Sequence, residues 1–384
     1  MPELLPFFLI LFIGVFFSDI FRRLHLPWVM ALLLGGILIG PHVLGVFEVD
    51  KTIDFIGQVG LVFLMFMAGL ETRLSAFREN RGALITIGLL NGIIPFIVGF
   101  GIGWYFDYGI IISILFGIIF VSSSISVVIP SLEANKMIHT RLGVLIMGAA
   151  IIEDIASLIM LSIFLQITNT TTFLPLPIFY ILLIVFLYLL RIFLPKLLWF
   201  FSHNIKEEQD LFQQELRSVF VLLIGTVIIF EIMGLHPIIA GFFAGLVLSD
   251  TLHSEVLLGK IRAVSYGVFI PAFFIIIGAQ TDISIFVNMN SALFLTSMIV
   301  IGSVSAKLFS GWLGGRLAGF GNQDAFTIGA SKVPQLSTTL AVAFTGASLG
   351  ILSNEIVTSF VALSIITTFL GPLFMKFRPR MNEE

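Results

Sequence analysis

Apolar runs long enough to cross a bilayer recur along almost the whole of this 384-residue chain. A spanning helix needs about 20 largely apolar residues, and thirteen runs approach or reach that length, although the run at 236–250 is short. Charged residues make up only 11% of the chain, against about 25% in soluble domains. The chain is therefore predicted to be an all-α polytopic membrane protein. The predicted spans, numbered one to thirteen, are 4–20, 27–45, 53–72, 82–104, 108–131, 142–166, 172–201, 215–234, 236–250, 261–280, 289–315, 325–348 and 354–376.

Composition also disfavours several classes of function. The formal net charge is −3, which gives no support for nucleic-acid binding. The chain has no Cys, so disulfides, thiolate metal sites and cysteine nucleophiles are excluded. The six histidines lack metal-ligand spacing and no glycine-rich nucleotide fingerprint occurs. We expect no structural metal and no cofactor.

Basic residues are distributed unevenly between alternate loops. If the C-terminus is cytoplasmic, 17 of the 20 Lys and Arg residues lie in inside loops or in the cytoplasmic parts of the adjoining spans, whereas Lys51 alone lies outside. Lys307 and Lys332 fall within spans. Because cytoplasmic loops are enriched in basic residues, this distribution predicts an outside N-terminus and a cytoplasmic C-terminus in the plasma membrane.

Two halves of the sequence resemble each other. Leu24-His25-Leu26-Pro27 opens span two, and Leu235-His236-Pro237 opens span nine, with small residues at matching positions afterwards. The charge distribution gives these two spans opposite directions, and inverted repeats are typical of secondary transporters. Chance similarity between helices rich in small residues is the alternative. The predicted organisation is one transporter domain without a C-terminal regulatory domain (1–380), made of repeat one (1–166), a linker helix (172–201) and repeat two (215–376).

Three ionisable residues lie deep within predicted spans: Glu153 and Asp154 in span six, and Lys307 in span eleven. Charged groups at this depth are costly and usually functional. Adjacent helical residues point about 100° apart, so one carboxylate can pair with Lys307 while the other faces a wet cavity. A static ion-pair network is the alternative, although buried ion pairs often contribute little stability over apolar packing.

Spans five and twelve contain clusters that favour a helix break. Span five has hydroxyls at Ser122, Ser124 and Ser126 before Pro130. Unwound backbone at membrane depth is tolerated where it lines a cavity, and interrupted helices at corresponding repeat positions indicate a binding site. Taken singly, each serine run is also explained by helix packing. The corresponding residues of span twelve are Lys332, Pro334 and Ser337, and Lys332 either neutralises facing helix ends or extends to the membrane surface.

Taken in order, these residues resemble the monovalent cation–proton antiporter family 2, the Kef/Nap-type sodium or potassium/proton exchangers. The resemblance covers almost the whole chain and depends on Pro27 through Pro41, Phe63 through Glu71, 122–130, Glu153-Asp154, Phe273 through Gly278, and Lys307. It implies an NhaA-like antiporter fold, in which spans five and twelve are crossed broken helices, and a separate dimerisation domain in a homodimer.

The resemblance also implies roles for individual residues. Asp154 takes the ion-binding position, and Glu153 takes the position of the carboxylate that pairs with Lys307. Two departures leave cation selectivity and stoichiometry open. Glu replaces the more usual residues at position 153, and span twelve lacks the acidic residue of an Arg-Gly-Glu-like segment found in relatives.

The combined interpretation is a secondary-active antiporter that exchanges Na⁺ or K⁺ for protons with elevator-type alternating access. Asp154 would bind either the proton or the cation, and Glu153 is placed with it in the predicted ion- and proton-binding site. Ser122, Ser124 and Ser126 are candidates for further oxygen ligands. A Kef-like channel without strict proton coupling, a solute symporter and an intramembrane enzyme are the alternatives. The enzyme is disfavoured because Glu153 and Asp154 diverge and cannot flank one bond.

Overall fold

The computed structural model describes residues 4–23, 28–72, 81–138, 140–168, 176–202, 213–233, 235–249, 252, 254–288 and 290–376. Regular structure in these ranges is entirely helical, with seventeen α-helices and one π-helical segment, Ser265–Phe269. The α-helices are α1 (Leu4–Arg23), α2 (Trp28–Ile39), α3 (Lys51–Glu71), α4 (Arg81–Tyr105), α5 (Gly109–Val121), α6 (Ile125–Ala134), α7 (Arg141–Thr168), α8 (Leu176–Ser202), α9 (Gln214–Ile232), α10 (Pro237–Ser249), α11 (Glu255–Val264), α12 (Ile270–Gln280), α13 (Ile285–Asn288), α14 (Asn290–Leu317), α15 (Asn322–Lys332), α16 (Ser337–Ser348) and α17 (Asn354–Lys376).

The predicted all-α class is confirmed for the described part of the chain. Six stretches there are long and apolar enough to cross a membrane: Lys51–Glu71, Arg81–Tyr105, Arg141–Thr168, Glu255–Gln280, Ser291–Leu317 and Asn354–Lys376. The count of thirteen spans stays a prediction, and the motif Leu24 to Pro27 lies outside the described residues.

One helix begins earlier than the sequence indicates. Span ten is predicted from residue 261, whereas α11 begins at Glu255 and continues through the π-helical segment into α12. Ser254 caps this helix, since its side chain accepts a hydrogen bond from the backbone nitrogen of Leu257 at 3.2 Å. An N-terminal cap satisfies a backbone donor that has no partner inside the helix. The helix therefore starts in a polar stretch that hydropathy alone does not mark.

Spans five and twelve are each two helices. Residues 122–124 separate α5 from α6, and residues 333–336 separate α15 from α16. Pro334 lies in the second interruption, whereas Pro130 lies within α6. The first break therefore falls on the serine stretch itself, upstream of the proline.

The chain divides into two compact units, each of which draws on both predicted repeats. Unit one contains Met1–Leu11, Val49–Arg73 and Ser162–Ile276. Unit two contains Phe12–Glu48, Leu74–Leu161 and Ile277–Glu384, and so includes both broken helices.

Glycines allow helices to approach at backbone distance inside each unit. In unit one, a Cβ atom on Gly69 of α3 would lie 2.7 Å from the Leu246 nitrogen of α10, and one on Gly241 would lie 2.8 Å from the Val62 oxygen. In unit two, a Cβ atom on Gly40 would lie 2.7 Å from the Ala279 oxygen. Span nine thus packs on span three, and the end of span two packs on the end of span ten. Inverted repeats would produce this reciprocal pairing.

Candidate ion-binding site

The two helix breaks contact each other inside unit two. The Ser124 backbone nitrogen, just before α6, donates to the Pro334 carbonyl oxygen at 2.7 Å. The hydroxyls of Ser122 and Thr339 are 2.8 Å apart. Each break therefore satisfies polar groups of the other, which unwound backbone at membrane depth requires.

Gln335 completes the junction between the breaks. Its side-chain nitrogen donates to the carbonyl oxygens of Phe120 at 3.0 Å and Ser122 at 3.1 Å. Its side-chain oxygen accepts from the Ser303 hydroxyl at 2.9 Å. The carbonyls at the end of α5 have no partner within their own helix, so this amide replaces the missing donors.

Glu153 of α7 lies between two lysines. Its Oε1 atom is 2.9 Å from Lys332 Nζ, and its Oε2 atom is 3.5 Å from Lys307 Nζ. All three side chains are fully buried. The Ser123 hydroxyl also donates to Oε2 at 2.8 Å. Each oxygen of this carboxylate thus faces a cationic partner.

Both lysines have a second oxygen partner in the backbone. Lys307 Nζ donates to the Val121 carbonyl at 2.5 Å, and Lys332 Nζ donates to the Ile146 carbonyl at 3.2 Å. Val121 is the last residue of α5, where the helix dipole favours a cation. Since Lys332 is buried and paired, its interpretation as a residue that extends to the membrane surface is wrong.

Asp154 differs from its neighbour because no lysine of the described residues lies within ion-pair distance of it. It is 7% exposed, and the side chain of Thr338, at the start of α16, lies near its carboxylate. Its Oδ1 atom has no hydrogen-bond partner among the described residues. A buried ionised oxygen without a partner is unfavourable, so Asp154 is the carboxylate of the pair that would be stabilised most by a bound proton or cation.

Comparison with known proteins identifies the family. The model of the family described as "Sodium/hydrogen exchanger, transmembrane" matches residues 8–376. The chain belongs to the sodium/hydrogen exchanger family. This membership confirms the resemblance to monovalent cation–proton antiporters. The narrower label, family 2 of the Kef/Nap type, was slightly off, because the matching family is that of the sodium/hydrogen exchangers. The chain is accordingly a multi-pass membrane protein.

Several proteins named as antiporters resemble this family member along nearly their whole length. A probable Na⁺/H⁺ antiporter of Methanocaldococcus jannaschii is 33% identical, with 96% of this chain and 95% of the relative covered. A Na⁺/H⁺ antiporter of Enterococcus hirae is 28% identical, with 94% of each covered. The Na⁺/H⁺-K⁺ antiporter GerN of Bacillus cereus is also 28% identical, with 94% of this chain and 92% of GerN covered.

A solved structure shares the fold. The sodium proton antiporter MjNhaP1 of Methanocaldococcus jannaschii superimposes with a TM-score of 0.69, over 96% of this chain and 94% of that one. Its sequence identity is 16%, so this likeness concerns the fold alone. The predicted antiporter-type helical fold is thereby supported at the level of architecture.

The remaining predicted site residues of this exchanger-family member lie at or near the breaks. Ser122 and Ser124 are buried in the first interruption, and Ser337 begins α16. Ser126 lies in α6, and its side chain is outside the described part of the structure.

Sequence reasoning missed three polar partners: Ser123, Thr338 and Gln335. Ser123 was not chosen as a site residue, although its neighbours were. Helical periodicity does not predict which way a serine side chain points in a non-helical stretch. Gln335 could have been found, because an uncharged amide within an interrupted span indicates a hydrogen-bond donor for unpaired backbone carbonyls. In the ranges that the structure describes, no group of three or more His, Asp or Glu side chains is placed to hold a metal ion.

Proposed function

We propose that this chain is a secondary-active antiporter that exchanges a monovalent cation, Na⁺ or K⁺, for protons. The observation that carries the proposal is the buried Asp154 carboxylate: among the described residues its Oδ1 atom has neither a hydrogen-bond partner nor an ion-pair partner, whereas both oxygens of Glu153 form ion pairs with lysines. Relatives named Na⁺/H⁺ antiporters, and one named a Na⁺/H⁺-K⁺ antiporter, support the same activity.

Competition at Asp154 couples the two fluxes. The carboxylate binds either a proton or a dehydrated cation, but not both. On each side of the membrane, the bound ion must therefore be released before the other kind can bind. Hard cations require several oxygen ligands, which the hydroxyls and carbonyls near the helix breaks can supply. Glu153 takes no part in ligation, because its lysines already neutralise it.

The wider assembly follows the same proposal. We place the protein in the plasma membrane as a homodimer, with its N-terminus outside and its C-terminus cytoplasmic. Elevator-type movement of the unit that contains both broken helices would expose Asp154 to each side in turn. No enzyme activity, cofactor or nucleic-acid partner belongs to this mechanism.

Purified protein in liposomes tests the exchange. An internal pH-sensitive dye should report dissipation of an imposed pH gradient when Na⁺ or K⁺ is added, and Asp154→Asn should abolish it. Asp107→Asn is the matched control: Asp107 is exposed at φ 56°, a conformation that Asn tolerates, and this variant should retain full exchange.

Two results would contradict the proposal. Cation-dependent exchange that persists in a folded Asp154→Asn variant would remove Asp154 from the mechanism. Cation flux without counter-movement of protons, in the unaltered protein, would indicate a channel instead.

A further inference from the structure

The acidic pair of α7, Glu153 and Asp154, lies beside two lysines, whereas one lysine would neutralise Glu153. Lys307 and Lys332 both contact Glu153, and all three groups are fully buried. With these residues ionised, the group formally carries one surplus positive charge. Ionised Asp154 neutralises that surplus, so the empty site is neutral and becomes singly positive with either a proton or a monovalent cation.

We propose that Lys332 is a specificity-determining residue that excludes divalent cations from Asp154. The inference rests on the antiport function proposed above. Adjacent carboxylates are common ligands of Ca²⁺, whose affinity depends on the number of ligand charges. Lys332 occupies one oxygen of Glu153 and leaves a single carboxylate for the substrate. A divalent cation would give the buried site a double positive charge, which a low-dielectric interior disfavours strongly.

Geometry assigns this role to Lys332 more than to Lys307. The Lys332 nitrogen is closer to Glu153, at 2.9 Å against 3.5 Å. Lys307 makes its shortest contact with the Val121 carbonyl at 2.5 Å, so it also neutralises the end of α5. Lys332 is the last residue of α15 and directly precedes the second break. Thr338, which lies near Asp154, is in α16 on the other side of that break.

The test is calcium inhibition of Na⁺-driven proton exchange in liposomes, with Lys332→Met as the variant. Methionine keeps an unbranched side chain and removes the charge. With Lys332 replaced, Ca²⁺ at Asp154 leaves the same net charge as Na⁺ does in the unaltered protein. The calcium concentration for half-inhibition should therefore fall at least about ten-fold. Lys51→Met, which removes one exposed positive charge, should leave calcium sensitivity unchanged.

A charge-compensated variant separates electrostatics from altered packing. Glu153→Gln combined with Lys332→Met restores the charge of the original site, so it should again resist calcium. If a folded Lys332→Met protein exchanges Na⁺ yet is no more sensitive to calcium, the inference is wrong. It is also wrong if the double variant is as sensitive as the single one.

The remaining outcomes are equally decisive. If the unaltered protein shows no cation-dependent exchange, the proposed function fails before selectivity is tested. If Lys332→Met does not fold, Lys332→Gln makes the same measurement, because a glutamine amide removes the charge and keeps a hydrogen-bond donor for the Glu153 carboxylate. Its calcium concentration for half-inhibition should also fall about ten-fold or more. An unchanged calcium sensitivity in a folded Lys332→Gln protein would overturn the role assigned to the surplus charge.

Discussion

The ion pair between Glu153 and Lys332 should account for a measurable part of the stability of unit two. Removal of one partner from a buried pair typically costs about 3–5 kcal/mol, because it leaves an uncompensated charge. After Lys332→Met, Glu153 keeps Lys307 at 3.5 Å and the Ser123 hydroxyl at 2.8 Å. The expected loss is therefore at or just below the lower limit of that range, about 2–3 kcal/mol.

A double-mutant cycle isolates the pair. Glu153→Gln alone leaves two lysines buried beside a neutral amide and should destabilise the protein more than Lys332→Met does. The combined variant should recover most of the loss, with a coupling free energy of at least about 2 kcal/mol. The same cycle with Lys307→Met should give a smaller coupling, because that nitrogen is 0.6 Å farther from the carboxylate (3.5 Å against 2.9 Å).

Thermal unfolding in detergent provides the assay. The chain has four Trp and no Cys, so intrinsic fluorescence is suitable and thiol-reactive dyes are not. A loss of 1 kcal/mol lowers Tm by roughly 2–4 °C in chains of 150–250 residues, so shifts of several degrees are expected. Additive Tm losses in the Glu153→Gln, Lys332→Met double variant would refute an energetic interaction between the two residues.

Three further outcomes follow from the packing and the loops. Gly69→Ala should lower Tm markedly, because a Cβ atom would meet the backbone of α10, whereas Gly101→Ala, with open space around it, should be neutral or slightly stabilising. Gln335→Leu should cost about 1–3 kcal/mol of unfolding free energy by leaving buried carbonyls without donors, again measured by Tm. The Ser284 hydroxyl holds the pKa of the half-buried Asp282 carboxyl below its usual range. Ser284→Ala should therefore lower Tm slightly at about pH 7, and the difference should shrink as the pH falls below the ordinary carboxyl pKa and then through the depressed one, because stabilisation by a depressed carboxyl pKa is lost on protonation.

The helices and their interruptions were largely predictable, because apolar runs and clusters of Ser and Pro act locally. Lys307 was predictable as a partner for the acidic pair, since few other charges lie deep in the spans. The contact of Lys332 with Glu153 was not, because it joins residues far apart in sequence whose side-chain directions depend on how α15 ends. The unpaired Oδ1 atom of Asp154 likewise depends on the packing of α16, which a single sequence does not reveal.

The junction of the two breaks has a consequence for how the protein is made. The Ser122 carbonyl receives its donor from Gln335, which is 213 residues later in the chain. At a synthesis rate of about 5–20 residues per second, roughly 10–40 s separate the two. If the first break entered the membrane in that interval, it would lack its partner, and each unsatisfied backbone group there costs several kcal/mol. The first half of the chain must therefore wait in a hydrated or chaperoned state until the second half is inserted, and nascent chains that end before Gln335 should be the ones most readily degraded.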